Sequence, residues 1–224
     1  MDMIEAMAQR HTVRAYLDKP LPAEVRELLN GRIGALNAQY NLAMSLFCDN
    51  TQAFGGMLKL VLAKGVKNYI VLAGPDEPGC DERIGWCSAE LMLYAQTLGL
   101  NTWWVGGTYR KGKVAAVAQV PAHGKLWGIV AVGYGATPGK PHQSKTPEEV
   151  AAYEGDAPVP AWFDRGVAAA LLAPTALNKQ AFKITGAGNQ VRIDYENGAF
   201  SGVDTGIVKY HFELAAGTEN FTWA

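Results

Sequence analysis

Cysteine is scarce in this chain, its charges nearly cancel, and no apolar run is long. The three cysteines, Cys48, Cys80 and Cys87, form no CxxC pair and no zinc-finger spacing, and their odd number argues against a disulfide framework. A reducing, cytoplasmic setting without a metal site is the simplest expectation. With 20 basic against 21 acidic residues the formal charge is -1, so no global field gathers nucleic acid or an anionic membrane. Any anion site has to be local. The longest apolar runs, Tyr69–Ala73 and Trp127–Val132, fall far short of the ~20 residues of a membrane-spanning helix. Met1-Asp2-Met3-Ile4-Glu5 lacks the basic-then-apolar order of a secretory signal. Neither nucleic acid nor a membrane is expected as a partner.

What is present is enough apolar material for one large core, 49% of 224 residues. After Pro20 and Pro22, residues 21–40 read as an amphipathic helix with Leu21, Val25, Leu28, Leu29 and Ile33 as its stripe. Val66–Ala73 reads as a buried strand closed by Gly74-Pro75. Trp86–Leu98, apolar almost throughout, reads as a central helix buried on most sides, with Glu90 as a first-turn carboxylate favoured by the helix dipole. Asn101–Val105 and Leu126–Val132 read as strands around a helical segment Lys111–Gln119. Gly135–Pro160 is a Pro/Gly-rich connection broken by a helical turn at Glu148–Tyr153. Beyond it come a helix Ala161–Leu172 ended by Pro174, and a hairpin pairing Lys183–Thr185 with Gln190–Tyr195. A helix through His211–Ala216 follows, with Asp204 as N-cap and Gly217 as its close.

Three segments carry candidate chemistry. Arg10-His11-Thr12-Val13-Arg14 sets two guanidinium groups around a hydroxyl and an imidazole, donors suited to a phosphate monoester. The spacing of four brings both arginines to one face if the segment is helical. Ala173-Pro174-Thr175-Ala176-Leu177-Asn178-Lys179-Gln180 places a hydroxyl and two amides after an apolar helix, matching the mixed donor and acceptor edge of a heterocycle, or simply ending the helix. Trp103-Trp104-Val105-Gly106-Gly107-Thr108 is a strand end followed by glycines, where open α/β sheets receive ligands and where turns also occur.

Together these segments resemble the nitroreductase family. Arg10–Arg14 with Ala15-Tyr16 is similar to its N-terminal phosphate motif, Ala173–Phe182 to its Ala-Pro-Ser-Ala-x-Asn-x-Gln-Pro-Trp segment, and Tyr94–Trp103 to its helix-to-strand passage. Asp204-Thr205-Gly206-Ile207 with His211-Phe212-Glu213 resembles the subgroup called TM nitroreductases. His11 and Thr12 stand where Arg and Ser are commoner, Ala181-Phe182 replaces Pro-Trp, and the Asn-Gln motif falls in the second half of the chain.

The resemblance implies an α/β (α+β) nitroreductase-like fold: a central, mostly antiparallel sheet flanked by helices, one domain over residues 1–224 with lobes 1–140 and 158–224. One chain can then imitate the two-subunit site, as a monomer or in a homodimer. It implies FMN, with Arg10, His11, Thr12 and Arg14 on the phosphate and ribityl chain and Pro174, Thr175, Ala176 and Asn178 along the flavin. Gly106 and Gly107 would offer backbone N–H groups, and Lys145 a further basic ligand. No side chain acts as a nucleophile in this reading. NAD(P)H reduces the flavin, leaves, and is replaced by a small acceptor such as a nitroaromatic or quinone. A flavin-binding or sensor protein without turnover is the alternative. A Rossmann enzyme built on Gly133–Gly139 fails because the spacing is one residue too long and Pro138 and Pro141 block the required helix. A hydrolase fails for want of a nucleophile motif or a partnered histidine.

Overall fold

The computed structural model describes residues 1–55, 63–118, 120, 122–155 and 158–224. Strands β1 (Ser45–Phe47), β2 (Tyr69–Pro75), β3 (Asn101–Val105) and β4 (Gly124–Gly133) form an antiparallel sheet in the order β1-β2-β4-β3. β2 is buried from Tyr69 to Gly74, which is why its sequence is continuously apolar rather than alternating. Strands β5 (Ala151–Glu154), β6 (Phe182–Ala187), β7 (Gln190–Tyr195) and β8 (Thr222–Trp223) form a second sheet in that order, with the β5/β6 and β7/β8 pairs parallel and the β6/β7 hairpin antiparallel. In β7, buried Val191 lies between exposed Gln190 and Arg192, the alternation of a sheet with one wet face.

The helices are α1 (Met3–Gln9), α2 (Ala23–Tyr40), α3 (Cys80–Thr97), α4 (Lys111–Val117), α5 (Pro147–Val150), α6 (Ala161–Ala170) and α7 (Ser201–Ala216). α1 starts with a capping box in which Asp2 accepts the Glu5 N–H at 2.8 Å and Glu5 accepts the Asp2 N–H at 3.1 Å. The pair α3 and α7 joins the two halves of the chain. It packs almost backbone to backbone, since a Cβ at Gly85 would collide with the carbonyl of Val203 and one at Gly206 with the carbonyl of Glu82. Phe163, Phe212 and Phe221 extend the core toward the second sheet, with Phe163 and Phe221 each edge-on to Phe212.

The described residues correct several boundaries. α2 begins at Ala23 and buries Leu29, Ile33 and Leu36; Leu28, turned about 100° from Leu29 on the helix, is 42% exposed. β2 begins at Tyr69 rather than Val66 and runs through Pro75, a strand end where a proline is tolerated. α3 begins at Cys80, six residues before Trp86, with Asp81 and Glu82 in its first turn. Glu90 is therefore mid-helix, only 3% exposed, and paired with Arg32 of α2. The expected helical turn at Glu148–Tyr153 is a capped turn, α5, followed by β5 alongside β6. α4 ends at Val117; Gln119, with residues 156 and 157 of the expected connection, lies outside the described residues. α7 begins at Ser201 with Phe200 in the N-cap position, so Asp204 sits one turn inside the helix.

Candidate functional site

A cleft of about 840 Å³ opens where both halves of the chain meet. Its first wall is the segment after α1. This segment is extended, not helical: Thr12 pairs with Thr102, and Val13 donates its N–H to the Thr102 carbonyl at 3.1 Å, so the strip is stitched to the start of β3. His11, Thr12 and Arg14 line the cleft, and the Arg14 guanidinium lies over the Trp103 ring at 5.3 Å. The two arginines diverge because Arg10 is the C-cap residue of α1, whereas the chain joins β3 only from Thr12 onward. Arg10 is 4% exposed, lies outside the cleft lining, and leaves its Nε without a hydrogen-bond partner. Burial lowers the Arg10 guanidinium to about 10. The His11 imidazole is lowered as well, first by burial and then by Arg10 beside it.

The second wall comes from the other end of the chain. Pro174, Thr175, Ala176, Leu177 and Asn178 line the cleft. Their loop is tied down on both sides. Asn178 Nδ2 donates to the Gln143 carbonyl at 2.7 Å, and the Gln180 N–H donates to Thr175 Oγ1 at 3.0 Å. Gln180, fully buried, donates through Nε2 to the Leu171 carbonyl at 2.8 Å and accepts the Lys145 N–H at 2.7 Å. That same Leu171 carbonyl, freed at the end of α6, also receives His142 Nε2 at 2.9 Å and Ser144 Oγ at 3.1 Å. Lys145 does not line the cleft; its Nζ donates to the Gln180 carbonyl at 2.9 Å. The Ala181-Phe182 departure is accommodated by Phe182 entering the core as the first residue of β6.

The third wall is the end of β3 with Gly106, Gly107 and Thr108, and Phe200 leans over it from the N-terminus of α7. The Phe200 ring packs on Gly106 and meets Trp104 edge-on, with centroids 5.7 Å apart. Sequence reasoning did not find Phe200, Lys140 or His142, all of which line the cleft. Lys140 and His142 sit in the Pro/Gly-rich connection, and the spacing of Gly139 to the Arg-rich strip is visible only in three dimensions, where it packs on His11 and Val13.

The cleft is electrically one-sided. Arg14 and Lys140 face it together with the imidazoles of His11 and His142, and Asp204 is its sole carboxylate among the described residues. Asp204 accepts the Ala176 N–H through both oxygens, at 3.1 and 3.0 Å, and the Tyr195 hydroxyl at 2.8 Å. Its carboxyl is raised from the ordinary value, chiefly by burial, against these hydrogen bonds. A second, more open groove beside α2, lined by Met3, Leu28 and Tyr94, holds none of the three motifs. Among the described residues there is no cluster of three or more metal-ligating side chains and no helix long and apolar enough to cross a membrane. The three thiols are free, and burial raises each of them, least suited to a nucleophile at Cys87, which reaches about 12.

An antiparallel sheet flanked by helices is the arrangement of a nitroreductase-type fold. The family described as "Putative TM nitroreductase" matches residues 2–216, and the chain belongs to it. Among solved structures, one described as a "putative nitroreductase" from Thermotoga maritima is similar over 96% of this chain and 83% of its own, at 20% identity and a TM-score of 0.68. A nitroreductase family protein from Streptococcus pneumoniae is similar over 66% of this chain and 98% of its own, at 12% identity and a TM-score of 0.52. The NfrA1 nitroreductase of B. subtilis is similar over 66% and 72%, at 18% identity and a TM-score of 0.52. A search of curated proteins finds no significant match.

Proposed function

We propose that the chain is an FMN-dependent oxidoreductase that passes a hydride from NAD(P)H to a nitroaromatic, quinone or similar small acceptor. The observation that carries this reading is the convergence of the Arg10–Arg14 strip and the Pro174–Asn178 loop, more than 150 residues apart in sequence, on the same cleft. Its volume lies within the roughly 300–1,000 Å³ of small-ligand sites. FMN has an anionic phosphate at one end and a flat heterocycle at the other, and the cleft is polarised to match.

His11, Thr12 and Arg14, with Lys140, would hold the phosphate and ribityl chain as charge-assisted donors. Arg10 would support the same end at longer range, as a buried guanidinium beside His11 in no ion pair among the described residues. Pro174, Thr175, Ala176 and Asn178 would face the flavin, whose opposite side meets Gly106 and Gly107. Lys145 contributes by tying Gln180 and hence that loop, rather than by direct contact. Bound FMN supplies the hydride chemistry, while the chain's residues position it and exclude water. Because one chain brings both motifs, a monomer completes the site, and we propose a cytoplasmic enzyme that is monomeric or homodimeric.

The test is a visible absorption spectrum of purified protein after FMN is added and the excess removed, followed by anaerobic NADH or NADPH. A retained flavin band that bleaches supports the reading. No retained band overturns it, and a retained band that neither donor bleaches leaves a flavin-binding protein without this activity.

A further inference from the structure

The loop that forms the second wall is held in a shape its residues do not favour. Leu177 (φ 54°), Asn178 (φ 55°) and Gln180 (φ 45°) all occupy the left-handed region, which Asn tolerates but which is disfavoured for Leu and Gln. Such a run persists only where the surroundings over-determine it. Leu177 pays no attention to burial in this conformation: it is 90% exposed at the cleft rim. From the connection between the halves, Gln143 and Lys145 hold Asn178 and Gln180. From α7, one group does the holding. Both Asp204 oxygens accept the Ala176 N–H, and Tyr195 on β7 donates its hydroxyl to Oδ2, which keeps the carboxylate aimed at that amide.

Asp204 accepts no amide hydrogen of its own helix among the described residues, so it is not serving as a cap. It is buried, lines the cleft, and stands on the same face of α7 as Ile207, which also lines it. We propose that Asp204, steadied by Tyr195, is a positioning residue for the ligand of this cleft: through the Ala176 N–H it sets the backbone of the Thr175–Asn178 wall against which the ligand rests. The identity of the ligand rests on the flavin reading, and FMN is the probe.

The variants are Asp204→Asn, which keeps the size but loses one acceptor oxygen, and Tyr195→Phe, which removes only the hydroxyl. Loss of a charge-assisted hydrogen bond at Ala176 is expected to raise the FMN dissociation constant about tenfold in Asp204→Asn. Tyr195→Phe is expected to raise it about threefold, and the double variant to bind no more weakly than Asp204→Asn, because Tyr195 acts through Asp204. Without flavin, amide hydrogen exchange at Ala176 is expected to be slow in wild type and fast in Asp204→Asn, with the amides of α3 unchanged in both. Wild-type FMN affinity in Asp204→Asn, unchanged exchange at Ala176, or additive effects in the double variant would overturn the proposal. If Asp204→Asn does not fold, Tyr195→Phe decides it by the same two measurements. Wild-type protein that takes up no FMN overturns the flavin reading, and the exchange measurement then decides the positioning of Ala176 by itself.

Discussion

The ring of Phe200 lies against Gly106 so closely that a Cβ at that glycine would collide with the ring edge. An aromatic residue borne by the start of α7 thus sets the width of the cleft where β3 ends. The obstacle is the far end of a side chain rather than backbone, so the ring can give way by turning about its own bonds. Gly106→Ala is therefore expected to cost about 1–2 kcal/mol, at the low end of the overpacking range. Urea unfolding checks it. Combined with Phe200→Ala, which removes the obstacle, the loss should be less than the sum of the two single changes. Strict additivity would mean that the two residues do not press on one another.

Gly206→Ala should be more severe, because the obstacle is the carbonyl of Glu82 in α3, and a backbone cannot rotate aside. The expected loss is about 3 kcal/mol or more, since the added methyl pries apart the helix pair that joins the halves of the chain. A shift in urea midpoint no larger than that of Gly106→Ala would contradict this close packing.

His211 should make the protein acid-sensitive. Burial pushes its imidazole down to about 3, while Nδ1 donates to the Ile207 carbonyl at 2.8 Å. At pH 7 the ring is neutral in the folded chain and mostly neutral in the unfolded one, so it contributes little. Below about 6.5 the unfolded chain takes up a proton that the folded chain refuses, so stability falls with pH, by about 3 kcal/mol between pH 6.5 and 4 from this group. Asp204 and Glu90, whose carboxyls are raised by burial, act in the opposite direction over the acid range. The difference between wild type and His211→Gln isolates the histidine. The variant should show a flatter dependence of unfolding free energy on pH, and parallel curves would refute the assignment.

If the cationic end of the cleft receives a phosphate, Arg14→Gln and Lys140→Gln should each weaken FMN binding by about 1–2 kcal/mol, as exposed partners of a charge-assisted contact. The wild-type dissociation constant should rise with salt and the double variant's should rise less. Fluorescence titration of FMN at two ionic strengths measures both. Equal salt dependence in wild type and double variant would remove these residues from the phosphate site.

Much of the fold was legible because local pattern and burial agree. The apolar runs of β2, β3 and β4 announce buried strands, and the apolar segment before Pro174 is helical, although α6 ends at Ala170 rather than at the expected Leu172. The failures have one cause. β5 has no strand signal of its own and exists because β6 offers it an edge, and Glu90 reads as a surface carboxylate until Arg32, from another helix, is found beside it. Asp204 follows the same logic: its sequence position suggests a cap, and its partner, Ala176, lies 28 residues away.

The sequence by itself determined the motifs, the apolar material for the core and the absence of any global charge field, since residue type and spacing along the chain suffice for these. It could also name His11, Thr12, Arg14 and the Pro174–Asn178 loop as candidates. Only the tertiary structure decided that these meet across one cleft, that Arg10 turns inward while Arg14 stays at the surface, and that Phe200, Lys140 and His142 join them. The reason is physical: Arg10 still closes α1 as its C-cap, while the residues from Thr12 onward are laid along β3. Which of them reach a ligand depends on the helix and strands packed around the strip, and those are brought there by contacts that no local pattern encodes.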